Sequence, residues 1–287
     1  MMIDVILDQH RKDLGGFEIG RVLPQVRRRS VGPFVFFDHM GPAQFQPGFA
    51  RTVDVRPHPH IGLSTLSYLF EGAMTHRDSV GSDIVIRPGE VNWMTAGSGI
   101  THSERFEDLR RTGGALDGIQ TWLALPVEHE ETSPSFSHHA GDELPIFTDK
   151  GLRGCLIAGE AYGIKSAVPV FSPLFYVHWR LLAGARVEMP AGYPEGAAYL
   201  AKGSVEVDGQ LLKPGQMAVF GPAHGATFTA GEDSSLMLLG GESVGPRFLD
   251  WNFVSSSLER IEDAKADWRA GRMKLPDLDD QEFIPLP

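Results

Sequence analysis

The sequence holds a single cysteine, Cys155, in 287 residues. No disulfide can therefore close within the chain, which fits a reducing compartment. No stretch approaches the ~20 consecutive apolar residues of a membrane helix. The opening residues, MMIDVILDQHRKDL, carry charge throughout and contain no apolar segment of signal-peptide length. These absences predict a cytoplasmic protein with no membrane partner. Basic residues are also scarce, 26 Lys and Arg against 37 Asp and Glu, for a formal charge of −11. Arg27, Arg28 and Arg29 form the only basic cluster and read as a solvated turn. A direct nucleic-acid surface needs a larger basic footprint. Helical periodicity is nearly missing before residue 255.

Turn residues are plentiful. The 33 glycines and 20 prolines separate short runs of period-two or continuous apolar character, such as residues 64–69, 91–94, 119–125, 175–182, 216–220 and 235–239. Short strands with regular turn signals predict an all-β fold of sandwich or barrel type. Only the tail differs. Ser256 and Glu259 have capping-box spacing, Leu258, Ile261, Lys265 and Trp268 recur three to four apart, and Gly271 can end the run, so a helix is expected over about 256–270.

A chain of this length suggests two domains, and an internal echo supports them. SYLFEGAMTHRDSVGSDIVIRPGEVNWM resembles AYLAKGSVEVDGQLLKPGQMAVF. Each reads as strand, turn, strand, Pro-Gly turn (Pro88-Gly89 and Pro214-Gly215) and strand. Long-spaced repeats point to a duplicated fold. The expectation is two antiparallel barrels, 1–141 and 151–287, joined near Asp142–Gly151, the second carrying the C-terminal helix.

The chemistry concentrates in His58-Pro59-His60 and His102-Ser103-Glu104. In a strand, side chains at i and i+2 point to one face, so each motif offers two ligands on one side. Two such strands side by side bring four donors to a point. Three neutral imidazoles and one carboxylate suit a divalent transition metal: iron, manganese, cobalt, nickel, copper or zinc. Four protein ligands on an octahedral ion leave two positions for oxygen or substrate. The other histidines lack this pattern. His39, in FFDHMGP, is assigned a structural hydrogen bond, with a place beside the pocket as the alternative. His76 is assigned to a solvated turn. His138 and His139 are adjacent and diverge on a strand. His178 and His224 are assigned core or loop roles.

The stretches GPFVFFDHMGP, PHPHIG, SYLFEGAMTHRDSVG and RPGEVNWMTAGSGITHSE resemble the metal-binding half of the pirin family, within the cupin superfamily, and the likeness extends through the second half. The resemblance implies a bicupin with one metal in the N-terminal barrel and chain ends that cross to the opposite domain. It implies that His58, His60, His102 and Glu104 hold the ion, usually Fe(II). The second half has no His-x-His or His-x-Glu pair, as expected of a metal-free copy. Several pirins are quercetin 2,3-dioxygenases, which open the central ring of a flavonol with O2 and release carbon monoxide. In such a reaction Glu104 is the candidate base. Phe34, Phe36, Phe37, Trp93 and Met94 are candidate walls for a flat aromatic substrate. A redox-sensitive regulator acting through a protein partner, and a metal enzyme for another small substrate, remain as alternatives. A monomer is expected, because a bicupin already buries barrel faces against each other.

Overall fold

The computed structural model describes residues 3–13, 16–221 and 225–287. The chain forms two compact units. One comprises residues 12–19, 40–141 and 244–287, and the other 1–11, 20–39 and 142–243. A single cut near residue 142 therefore describes the middle of the chain but not its ends. The physical reason is visible at one end. The strand Ile3–Asp8 pairs antiparallel with Gln216–Phe220, which covers an edge that would otherwise present unpaired backbone groups.

Each unit is a two-sheet antiparallel β-sandwich of cupin type rather than a closed barrel. In the 142–243 unit an eight-stranded sheet accompanies a four-stranded one. The interior between them is apolar, with Leu156, Val177, Leu200, Val205, Phe228 and Leu238 all buried. In the other unit a seven-stranded sheet accompanies the four strands Val55–His60, Ile100–Arg105, Met74–Asp78 and Asp83–Ile86. Phe17, Phe45, Leu69, Met74, Phe106 and Leu116 form its apolar core. The described residues contain no helix long and apolar enough to cross a membrane.

The repeat read from the sequence has a structural counterpart. Gly89 and Gly215 both have positive φ, 83° and 85°, which favours glycine. The Gly89 amide donates to the Leu69 carbonyl (3.0 Å) and the Gly215 amide to the Leu200 carbonyl (2.8 Å). In both copies the strand after the turn then pairs with the strand that holds the accepting residue.

The C-terminal helix spans Leu258–Arg269. Its cap is Ser257, whose hydroxyl accepts from the Arg260 amide, and not Ser256. Ser256 is occupied elsewhere, its hydroxyl donating to Glu130 (2.9 Å). Ile261, Ala264 and Trp268 are the buried stripe. They pack with Ile61 and Phe253, so the helix lies against the end of the strand that bears His58 and His60.

The residues beyond the helix run across the outer side of the same strands. Alternation sends His102 and Glu104 to one face and Thr101, Ser103 and Arg105 to the other. Thr101 donates to the Lys274 carbonyl, and Ser103 to Asp279 (2.6 Å). Arg105, only 1% exposed, makes a bidentate pair with Asp279 (2.7 and 2.7 Å) and reaches Glu282 (2.9 Å). The Ile284 amide donates to the Pro57 carbonyl (2.8 Å). Removing the sole partner of a buried charge costs about 3 kcal/mol. Arg105 keeps Glu282 (2.9 Å) and Asp54 (3.5 Å), so Asp279→Ala is expected to lower unfolding stability by less, about 2 kcal/mol, measured by chemical denaturation. Asp277→Ala, which removes only an exposed pair with Lys274, should change it by roughly 0.5 kcal/mol or less.

Candidate metal centre

Register explains how the sequence motifs meet. The strands Val55–His60 and Ile100–Arg105 run antiparallel, with His102 directly opposite His58 and Ile100 opposite His60. A bulge between His102 and Glu104 shifts the register so that Glu104 faces Val55. On its other side Glu104 is directly opposite His76. The three imidazoles are buried, and their ligand atoms lie within 4.8 Å of one another. No other cluster of three such groups occurs among the described residues.

Hydrogen bonds fix which nitrogen of each ring faces inward. His58 Nδ1 is 2.9 Å from the Arg56 carbonyl, and His60 Nδ1 is 2.9 Å from the Asn252 carbonyl. A carbonyl only accepts, so both Nδ1 atoms carry the proton and both Nε2 atoms present a lone pair. Burial lowers the His58 pKa to about 4, and the Arg56 hydrogen bond only partly offsets this. Burial also holds His60 and His102 well below the ordinary imidazole value, and the neighbouring imidazoles add to the effect. The rings are therefore neutral near pH 7. His60 Nε2 lies 3.1 Å from His102 Nε2. Two nitrogens in neighbouring positions on an octahedral ion, with bonds of about 2.1 Å, sit roughly 3 Å apart.

Glu104 lies on the same strand face as His102, but outside the group of three imidazoles whose ligand atoms lie within 4.8 Å of one another. It is 6% exposed, and its Oε1 has no hydrogen-bond partner among the described residues. Burial pushes its carboxyl up to about 7, against a hydrogen bond from Gln120 that favours the ionised form. Ser67 donates to Gln120 Oε1 (2.5 Å), which turns the Gln120 amide group toward Glu104. A buried carboxylate oxygen with no partner is costly, and a cation is the partner that these surroundings accommodate. The three imidazoles thus fit a divalent metal, with the Glu104 carboxyl nearby as the remaining unpartnered group.

The facing sheet supplies the rest of the lining. Directly paired residues share a face. Trp122, Thr65, Met94 and Phe136 form one row across four strands, and Gln120, Ser67, Asn92 and His138 form the next. Trp122 meets His60 edge-on, with ring centroids 5.0 Å apart, and Phe136 stacks on His76 at 4.4 Å. This face therefore looks at the metal ligands.

Several expectations change. Met94 lies in the lining, but its neighbour Trp93 points to the opposite face of the sheet. Phe34 and Phe37 belong to the other unit, where they pack on Tyr176 and Tyr199. Phe36 lies beneath the Arg21 guanidinium at 4.3 Å. His39 has the structural role, bonded to the Tyr199 hydroxyl (2.7 Å). His76 is not in a solvated turn. It is 4% exposed, on the strand Met74–Asp78, with Nε2 2.9 Å from Asp78. The signal was present, because His76 and Asp78 have the i, i+2 spacing of the ligand pairs. His138 bonds Asn92 (2.8 Å), His139 bonds Ser137 (3.1 Å), and His178 is a core residue bonded to Ser235 (2.9 Å). His224 lies outside the described residues. The Asn252 carbonyl behind His60 left no trace in the sequence, since any residue carries one.

Comparison with known proteins identifies the family. Residues 16–123 match the pirin family, and residues 176–274 match the pirin C-terminal cupin domain. The chain belongs to the pirin family. A pirin-like protein from Caulobacter vibrioides is 68% identical over the full length of both chains. Human pirin is 29% identical, covering 92% of this chain and 90% of its own. The crystal structure of a quercetin 2,3-dioxygenase from Acinetobacter baumannii superposes with a TM-score of 0.90 at 32% identity, covering 99% of this chain and 94% of that one.

Glu104 gives this pirin a pH signature without metal. A carboxyl whose folded-state pKa is raised contributes stability that is present below its unfolded value, near 4.5, and lost as pH rises through about 7. His58 runs the other way, since its lowered pKa gives stability present above about 6.5 and lost as pH falls through about 4. Glu104→Gln mimics the neutral carboxyl. Metal-free Glu104→Gln should match the unsubstituted protein near pH 4 and exceed it by about 3 kcal/mol at pH 8, measured by denaturant titration. Equal stabilities at pH 8 would show that Glu104 ionises without cost.

Proposed function

We propose that this pirin is a metal-dependent dioxygenase that cleaves a flavonol of the quercetin type with O2. The reading rests on one observation above all: three buried neutral imidazoles bring their ligand atoms within 4.8 Å of one another, on a face that carries the unpartnered Glu104 carboxyl and looks at Trp122 and Phe136. The likeness to the Acinetobacter baumannii quercetin 2,3-dioxygenase supports it.

His58, His60, His102 and Glu104 hold the ion, and a histidine-rich set with one carboxylate suits Fe(II), with manganese, cobalt, nickel, copper or zinc as alternatives. A bound divalent ion acts as a Lewis acid that favours the deprotonated hydroxyl of the substrate. The protein's own groups do the remainder. Trp122, Met94 and Phe136 offer apolar and aromatic surface to a flat ring system, and Thr65, Ser67 and Asn92 offer polar edges. The strand Ser135–His139 is a sheet edge with mostly half-buried side chains. Glu104 is the base. Gln120 bonds the carboxyl, and an oxygen of Glu104 that swings free of the ion would take the flavonol hydroxyl proton. A metal-bound carboxylate has a depressed pKa, which weakens it as a base, so Glu104 serves this role best with one oxygen free of the ion.

The test uses protein purified without an affinity tag, analysed for metal, and reconstituted anaerobically with Fe(II). Mixing with quercetin and air should bleach the flavonol band, consume O2 and release carbon monoxide in equal amounts. Glu104→Ala should abolish turnover. A fully metallated protein that leaves quercetin and O2 untouched would overturn the proposal.

A further inference from the structure

His102 differs from the other two imidazoles in what stands behind it. His58 and His60 each lean on a backbone carbonyl. His102 Nδ1 instead lies 3.3 Å from His76 Nδ1. Its opposite nitrogen, His76 Nε2, is 2.9 Å from Asp78 Oδ2. Asp78 is itself fixed, since its Oδ1 accepts from the amides of Val80 (3.0 Å) and Ser82 (2.9 Å). These donors and the His76 hydrogen bond outweigh the opposing effect of burial and keep the Asp78 carboxyl below its ordinary value. An ionised Asp78 can only accept, so His76 Nε2 carries the proton. In the neutral His76 ring Nδ1 is then a lone pair, and the proton between the two rings belongs to His102 Nδ1. Phe136, stacked on His76 with ring planes 16° apart, holds the relay ring in orientation.

We propose that His76 and Asp78 form a positioning relay that locks His102 with Nδ1 protonated and Nε2 aimed at the metal, and so tightens metal binding. The proposal rests on the metal-site reading above but not on the reaction. A carboxylate acting through an imidazole makes His102 a better donor than a ring backed by a neutral carbonyl. Partners that hold a ligating histidine by its second nitrogen change metal affinity by about 10–100-fold.

Two measurements test it, neither needing turnover. In metal-free protein, 15N spectra of the histidine rings should show His102 as the Nδ1-protonated tautomer. In His76→Phe, which keeps a ring against Phe136 but removes the acceptor, that signature should become a mixture. Competition with a chelator should then show Fe(II) or Ni(II) bound about 10–100-fold more weakly. His76→Gln, whose side-chain oxygen can accept from His102, should recover most of the loss. Glu107→Ala, which removes only an exposed pair with Arg77 on the opposite face of the relay strand, should stay within about threefold of the unsubstituted protein, well short of the relay effect. Thermal unfolding of each variant separates loss of the fold from loss of the relay. An Nε2-protonated His102 in the unsubstituted protein would overturn the proposal, as would a folded His76→Phe that binds metal with undiminished affinity. Failure of the quercetin assay leaves both readouts standing, and absence of any metal binding by the unsubstituted protein would sink the metal-site reading itself.

Discussion

The organising interaction of this protein is the pinning of histidine protons away from a shared centre. Each imidazole that faces the site commits Nδ1–H to an acceptor behind it: the Arg56 carbonyl, the Asn252 carbonyl or His76. With those protons pinned, three Nε2 lone pairs point inward, two of them 3.1 Å apart. Lone pairs repel, and burial prevents the rings from protonating to relieve it. The fold therefore maintains an arrangement that is unfavourable when empty and favourable around a cation. The partnerless Oε1 of Glu104 adds to the same imbalance. Metal binding and native stability are coupled in such a site, because an ion that binds only the folded state stabilises it.

Holding that arrangement requires a rigid back to the ligand strands, and the C-terminal segment provides it. Period-two alternation divides residues 101–105 between two tasks. His102 and Glu104 face the metal site, while Thr101, Ser103 and Arg105 bind residues 274–282 on the other side. Gly62 marks how closely this segment approaches, since a Cβ there would stand 2.0 Å from the Val254 carbonyl oxygen. The same segment supplies the Asn252 carbonyl behind His60. Residues more than 140 positions downstream of a metal ligand thus decide its tautomer.

The fold class and the ligand set were legible because both have local signals. Glycine and proline punctuation marks short strands, and the i, i+2 spacing of His58/His60 and His102/Glu104 marks one face of a strand. The Pro-Gly turns revealed the duplication, since a glycine with positive φ recurs at the same point of each copy. What escaped were features set by long-range pairing. Trp93 and Met94 are adjacent apolar residues on one strand, and only the register with Leu66 and Thr65 shows which of them lines the site. Phe34 and Phe37 sit in a stretch that resembles the metal-binding half of the family, yet the chain assigns them to the other unit. His76, in THRDS, was assigned to a solvated turn, yet it lies on the strand Met74–Asp78, and its neighbour Arg77 points to the opposite face and pairs with Glu107.

The contrast between the two units shows what a metal site demands of a sandwich. Both copies share the Pro-Gly turn and the pairing that follows it. In the 142–243 unit the space between sheets is filled by Val177, Leu200, Phe228 and Leu238, an interior stabilised by apolar burial. In the metal-holding unit, part of the equivalent space carries His58, His60, His102, Glu104, Gln120 and Ser67, which bury polar groups rather than methyl groups. Each of these costs free energy unless bonded, and His58 and His60 are bonded to backbone carbonyls while Ser67 bonds Gln120. The apolar contacts given up inside are made elsewhere. Phe17, Phe45 and Phe106 cluster in the same unit, and Ile261, Ala264 and Trp268 pack outside on Ile61. A duplicated fold can afford this division, because only one copy has to exchange core packing for chemistry.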